Sequence, residues 1–124
     1  MDKWQAQDAF WNGFGVPAFD ELTALDAEDP VYPRLTYQAM NGKMGQQMTL
    51  SASLWYREKT WKNVSQKADE IQAAITSGTI VKVDGGYLWF KMPAETPFAQ
   101  RIAPNEDNEV KRILLTLEAE ALTN

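Results

Sequence analysis

Side chains able to move protons or hold anions are scattered along this sequence, and their types limit the chemistry at once. Three carboxylate pairs are adjacent in sequence: Asp20-Glu21, Asp69-Glu70 and Glu106-Asp107. General acid–base work needs two carboxylates converging on one cleft. Neighbours on a helix or strand point apart, so these pairs read as solvated surface. Ser51 and Ser53 lie two residues apart, with no histidine anywhere in the chain to activate them. A Ser-His-Asp triad, an imidazole base and a histidine metal site are therefore excluded. Cysteine is absent as well. That removes a disulfide scaffold, a thiolate zinc site, an iron–sulfur cluster and a cysteine nucleophile. Gly42-Lys43-Met44-Gly45 and Gly85-Gly86 fit neither phosphate-loop nor dinucleotide spacing and read as turns. Arg57, Lys59 and Lys62 cluster near Trp55 and Trp61, a mixture that can stack single-stranded nucleic acid. A net charge of −5 opposes that use. The expectation is a protein that is not an enzyme, needs no cofactor or metal, and works by contact.

The bulk numbers agree with one folded unit. A chain of 124 residues, 44% hydrophobic and 23% charged, suits a single domain over residues 1–124. Area scaling gives roughly 6,700 Å² of folded surface against about 20,000 Å² extended, enough burial for a core without disulfides. No apolar run approaches the ~20 residues of a membrane span. Met1-Asp2-Lys3-Trp4-Gln5 lacks the apolar stretch of a signal peptide, so a cytoplasm-like setting is expected.

Charge is unevenly placed. Residues 1–30 hold seven acids (Asp2, Asp8, Asp20, Glu21, Asp26, Glu28, Asp29) and one base, Lys3. The remaining residues hold ten acids and eleven bases. The acidic first quarter would repel phosphates, and reads as a solvated face or as one half of a charge-complementary contact. Five Trp, four Tyr and five Phe are many for this length. Some should pack the core, and a few should lie on contact surfaces, where Trp and Tyr are enriched.

Spacing sets the elements. Residues 2–13 read as a helix with Asp2 as N-cap, stopped by Gly13 and Gly15, with Trp4, Gln7, Phe10, Trp11 and Phe14 on one side. Val16 to Phe19 suggests a short edge segment after Pro17. Residues 23–33 read as loop. Residues 34–40 and 48–57 alternate as strands around a turn at Asn41-Gly42. In the second strand Met48, Leu50, Ala52, Leu54 and Tyr56 face one way. Thr49, Ser51, Ser53, Trp55 and Arg57 face the other, a surface suited to water or a partner. Residues 60–77 form a helix with one apolar stripe, Trp61, Val64, Ala68, Ile71 and Ile75, capped by Thr60 and ended by Gly78. Residues 79–92 form a hairpin about Asp84-Gly85. Residues 93–108 have three prolines and no regular period. Residues 109–122 alternate as a long last strand. Strand runs with helices to one side give an α+β fold, an antiparallel or mixed sheet with helices packed on one face.

Several stretches together carry a resemblance: Tyr32-Pro33-Arg34-Leu35-Thr36-Tyr37, Leu50-Ser51-Ala52-Ser53-Leu54-Trp55-Tyr56, Trp61 through Ile75, and Pro97-Phe98-Ala99-Gln100-Arg101. With the element order, the chain resembles the tail terminator (tail completion, head–tail joining) proteins of siphophages and prophages. The resemblance implies a hexameric ring on the head-proximal end of the tail tube. Such a ring stops tube growth and offers a docking surface to the head connector protein. It implies further copies of the chain, the tail tube protein and the head connector as partners. The resemblance implies no nucleic acid, membrane or cofactor. The location would be the virion tail or neck, after assembly in the host cytoplasm. Another phage neck or minor tail component is the alternative, followed by a small α+β ligand- or peptide-binding domain.

Local reasoning supplies the interface candidates. The 41–47 tip (Lys43, Met44, Gln46) and the 93–104 connection (Phe98, Arg101) are expected to lie outside the core. A ring needs two different patches per subunit. Asp26, Glu28 and Asp29 set against Arg57, Lys59, Arg101 or Arg112 of the next subunit would provide them.

Overall fold

The computed structural model describes residues 1–24, 31–103 and 109–123. Helix α1 spans Lys3–Asn12, and its start is fixed by a capping box: the Asp2 carboxylate accepts from the Gln5 N–H at 2.8 Å, and the Gln5 side chain accepts from the Asp2 N–H at 2.9 Å. The buried stripe is Ala6, Gln7, Phe10 and Trp11. Trp4 lies roughly 90° round from its centre and is 49% exposed, so it leaves the apolar side where spacing placed it.

Strand β1 (Ala18–Asp20) follows Pro17 and is the sheet edge. The Asn12 side chain closes that edge: its oxygen accepts from the Ala18 N–H at 3.1 Å and its amide donates to the Ala18 carbonyl at 3.4 Å. A short turn, α2 (Glu21–Ala24), comes next, its last two residues reaching into the stretch read as loop. Its first turn is set by the Asp20 carboxylate, which accepts from the Leu22 N–H.

Strands β2 (Arg34–Tyr37) and β3 (Gln47–Arg57) pair antiparallel, Tyr37 opposite Ala52. β2 ends earlier than its alternation suggested, because the buried Gln7 side chain takes both backbone groups of Met40. The turn before β3 also differs. It closes between Lys43 and Gln46, with Gly45 at φ +85°, not at Asn41-Gly42. The Gly42 carbonyl is instead held by the Lys3 ammonium.

Helix α3 (Lys62–Thr76) buries Val64, Ala68, Ile71 and Ile75, as the stripe required. Trp61 holds the N-cap position without a side-chain bond of its own. The Thr60 hydroxyl accepts from the Lys62 N–H at 3.4 Å, and the Glu58 carboxylate, missed from sequence, accepts from the Val64 N–H at 3.0 Å, where its charge suits a helix N-terminus. The hairpin β4 (Thr79–Val83) and β5 (Gly86–Lys91) turns at Asp84-Gly85 as expected.

Within the stretch read as aperiodic lies a strand, β6 (Ala99–Ile102). The long last strand β7 (Val110–Thr123) explains it. β3 runs along one flank of β7. On the other flank β5 covers Glu118 to Thr123 and β6 covers Arg112 to Leu115. β5 and β6 are thus one interrupted strand, and β6 fills a row of backbone groups that would otherwise lack partners.

The seven-stranded sheet runs β1-β2-β3-β7-β5-β4, with β6 beside β7; only β1–β2 is parallel. Ile113, Leu115, Leu117, Ala119 and Ala121 of β7 are buried with Leu50 and Leu54 of β3 and the α3 stripe. α1 completes this side through two ring pairs. Phe10 stacks on Phe90 at 3.9 Å, and Trp11 lies 6.3 Å from Tyr37. The fold is α+β, with the helices on one face of a mixed sheet.

Candidate functional site

The face of the sheet away from the helices carries Thr36, Ser53, Trp55 and Arg112 as cross-strand neighbours, because Arg34 pairs with Trp55 and Trp55 with Arg112. Five side chains form an alternating cation–aromatic row. The Arg112 guanidinium lies 4.9 Å from the Trp55 ring, and Arg34 lies 5.6 Å from the same ring. Arg34 is also 5.7 Å from the Tyr32 ring, and Arg57 is 5.1 Å from it. The row is pinned at its base. The Trp55 indole donates to the Thr36 hydroxyl at 2.9 Å, and Arg112 Nε donates to the Ser53 hydroxyl at 3.0 Å. Thr36 and Ser53 are consequently buried, so this end of the hydroxyl-rich face is roofed by the protein's own side chains rather than left wet. Arg34 Nε is buried without a hydrogen-bond partner. Each cation–ring contact is worth about 0.5–1 kcal/mol when exposed and more when dry.

The same end of the sheet holds further bases. Arg57 pairs with Glu109 at 3.9 Å. Arg101 lies 5.1 Å from the Trp61 ring and donates to the Ser65 hydroxyl at 3.2 Å. Lys59 is exposed on the β3–α3 turn. A cleft of about 570 Å³ opens beside the row, lined by Tyr32, Pro33, Tyr56, Arg57, Glu58 and Asn63. Burial, with the charges of Glu58 and then Glu70, pushes the Tyr56 phenol above its ordinary value.

The other candidates lie at the far end of β3. An 11-residue strand spans roughly 33 Å, and that length separates Arg57 from the 41–47 tip. The tip is folded back on β7: the Gly45 N–H donates to the Ala121 carbonyl, and the Ala121 N–H donates to the Gln46 carbonyl. Met44 is half-buried against the core beside the Gly85-Gly86 turn, while Lys43 and Gln46 are exposed. Phe98 departs from expectation. It is buried in the core, and its carbonyl accepts from the Thr116 N–H where β6 joins β7. A ring so placed has no free surface to offer. Asp26, Glu28 and Asp29 lie outside the described residues. Arg57, Lys59 and Arg101 therefore share one end of the molecule, and Lys43, Met44 and Gln46 the other. Reasoning from spacing missed Tyr32 and Arg34; strand parity puts Arg34 and Trp55 on faces, but only the β2–β3–β7 register brings them together.

Among the described residues, no group of three acidic side chains is placed to hold a metal ion. No helix there is long and apolar enough to cross a membrane. Compared with protein-family models, curated proteins and solved structures, the chain matches none. The fold defines an α+β protein with a mixed sheet covered by helices on one face.

Proposed function

We propose that this chain is a non-enzymatic virion-assembly subunit. Copies of it close into a ring on the head-proximal end of a siphophage tail tube, and the ring presents the surface that joins the head connector. The observation that carries the reading is the separation of two unlike contact regions along β3. One is the cation–aromatic row with Arg57 and Lys59, with Arg101 at the same end but on the helix-covered side. The other is the Lys43–Gln46 tip, hydrogen-bonded to Ala121 of β7. A closed ring is a heterologous assembly, in which each subunit offers two different patches to its neighbours. An α+β sheet with helices on one face is also the architecture that the resemblance to tail terminators implies.

The test is direct. Purified protein is added to polymerising tail tubes, and tube length and end decoration are measured by negative stain. Tubes that stop at a protein ring on one end support the reading. Tubes that neither bind the protein nor stop growing reject it.

A further inference from the structure

Large exposed apolar side chains sit at both outer margins of the sheet. Beside β4 and β5 the acids are already paired, Asp84 with the Met1 ammonium at 3.2 Å and Glu120 with Lys91 at 3.1 Å, so Lys82 sets the sign there, while Glu21 sets it at the other margin. On β4 and β5, Ile80 is paired across the strands with Trp89, and both are exposed on the helix-free face; Ile80 is 59% accessible. Lys82, two residues along β4, is exposed on the same face. At the other end of the strand order, Phe19 of β1 is exposed on that face and Leu22 of α2 is 76% accessible. Their neighbour Glu21 is exposed and acidic.

Backbone geometry separates the two edges further. Val83 and Gly86 close a two-residue hairpin, so Thr79, Val81 and Val83 spend their backbone groups on β5. Ile80 and Lys82 then turn their N–H and C=O groups outward, and among the described residues no strand takes them. The β1 edge has no such groups to give at Ala18, because Asn12 holds both. The two edges differ in backbone and complement each other in side chains: apolar with a base on one side, apolar with an acid on the other.

We infer that the β4 edge is the docking surface for the β1–α2 corner of a second copy of this chain. Ile80 and Trp89 receive Leu22 and Phe19, and Lys82 faces Glu21. The contact is head-to-tail, so it propagates round a ring rather than closing a symmetric pair. It rests on the ring reading above and adds a second pair of contact surfaces, at the sheet edges, to the two at the ends of β3.

The absence of cysteine makes the test clean. Ile80→Cys and Leu22→Cys are made in separate chains, both at exposed positions, and native circular dichroism is verified. The two chains are mixed under mild oxidation, alone and on tail tubes. Disulfide-linked dimer is expected on the order of tenfold faster than with a Lys62→Cys control chain, as the effective concentration at a docked contact requires. Mixing Lys82→Glu with Glu21→Lys chains should restore association that either variant alone weakens. Cross-linking no faster than the control, in solution and on tubes, overturns the inference. Capping of tubes without the cross-link sinks the edge pairing and leaves the tail reading standing; the cross-link without capping does the reverse.

Discussion

Gln7 reads Met40 as a neighbouring strand would. Its side-chain oxygen accepts from the Met40 N–H at 3.0 Å, and its amide nitrogen donates to the Met40 carbonyl and to the Lys3 carbonyl. Gln7 is fully buried on the inner side of α1. One side chain thereby sets where β2 ends and fastens the loop after it to the first helix. Gln7→Leu keeps the volume and strands both Met40 backbone groups. A loss of about 2–4 kcal/mol is expected in urea unfolding, since each orphaned buried group costs roughly 1–3 kcal/mol. A variant as stable as the parent would show that water replaces the amide.

Gly86 tolerates no side chain. A Cβ there would stand 1.8 Å from the Leu122 carbonyl oxygen, a backbone atom of the central strand. Gly86→Ala should cost at least about 3 kcal/mol, at the severe end for overpacking. Gly85→Asn, one residue earlier at φ +82°, should cost far less, because Asn accepts that backbone region. Thermal melts of the two variants side by side check the contrast, and equal losses would contradict it.

Trp55 is the centre of the cation–aromatic row. Trp55→Ala removes the ring between Arg34 and Arg112 and leaves the Thr36 hydroxyl without its donor. Trp55 is half-buried, so a loss of about 2 kcal/mol is expected, below that of a fully buried aromatic truncation. Trp55→Phe keeps the ring face and should recover more than half of it. If Phe does no better than Ala, the indole hydrogen bond rather than the ring holds the row together.

The acidic first quarter gives a salt-dependent prediction. Reversing Asp26, Glu28 and Asp29 to Lys removes the negative partner proposed for Arg57, Lys59, Arg101 and Arg112. Ring formation should weaken most at low ionic strength and converge with the parent near 1 M salt, where the Debye length is about 3 Å. Light scattering across a salt series measures this. Rings that form equally well at every salt concentration would rule out the charge contact.

Tyr37 makes stability sensitive to alkali. Burial raises its phenol pKa most; its hydrogen bond to Asp8, at 2.8 Å, and the charges of Asp8 and Asp20 add to the rise. The folded state therefore holds the proton longer than the unfolded chain, whose value is 10.0. The stabilisation is complete below that pH and is lost as pH climbs towards the raised folded value. Tyr37→Phe should lower stability at neutral pH and flatten the alkaline decline. Tyr56, raised in the same direction, accounts for part of what slope remains. Denaturant midpoints at about pH 8 and about pH 11 for both proteins supply the measurement; parallel slopes would refute the assignment.

Local signals were legible and non-local ones were not. The Asp2 cap, the α3 stripe, the Asp84-Gly85 hairpin and the alternation of β3 and β7 each depend on residues close in sequence, and each is present. β6 escaped because four residues between prolines carry no period of their own. Their strand character comes from the uncovered flank of β7. Phe98 was misread for the same reason, since a residue beside an unseen strand looks like loop. The Asn41-Gly42 turn was displaced by Lys3, distant in sequence and adjacent in space. The cation–aromatic row joins residues from 32 to 112, and pairing register is not written in either segment alone.

The Asn12 amide at the β1 edge carries a consequence for behaviour at high concentration. A sheet with two open edges can recruit copy after copy and grow into a fibre. Here one margin is sealed by a side chain from the preceding helix. Uncontrolled strand-by-strand stacking through that margin is thereby blocked, and copies must recognise one another by side chain to associate there. Asn12→Ala would reopen the margin, and amyloid-dye-positive aggregate in overexpressing cells is expected alongside the lower melting temperature that two unpaired Ala18 backbone groups bring.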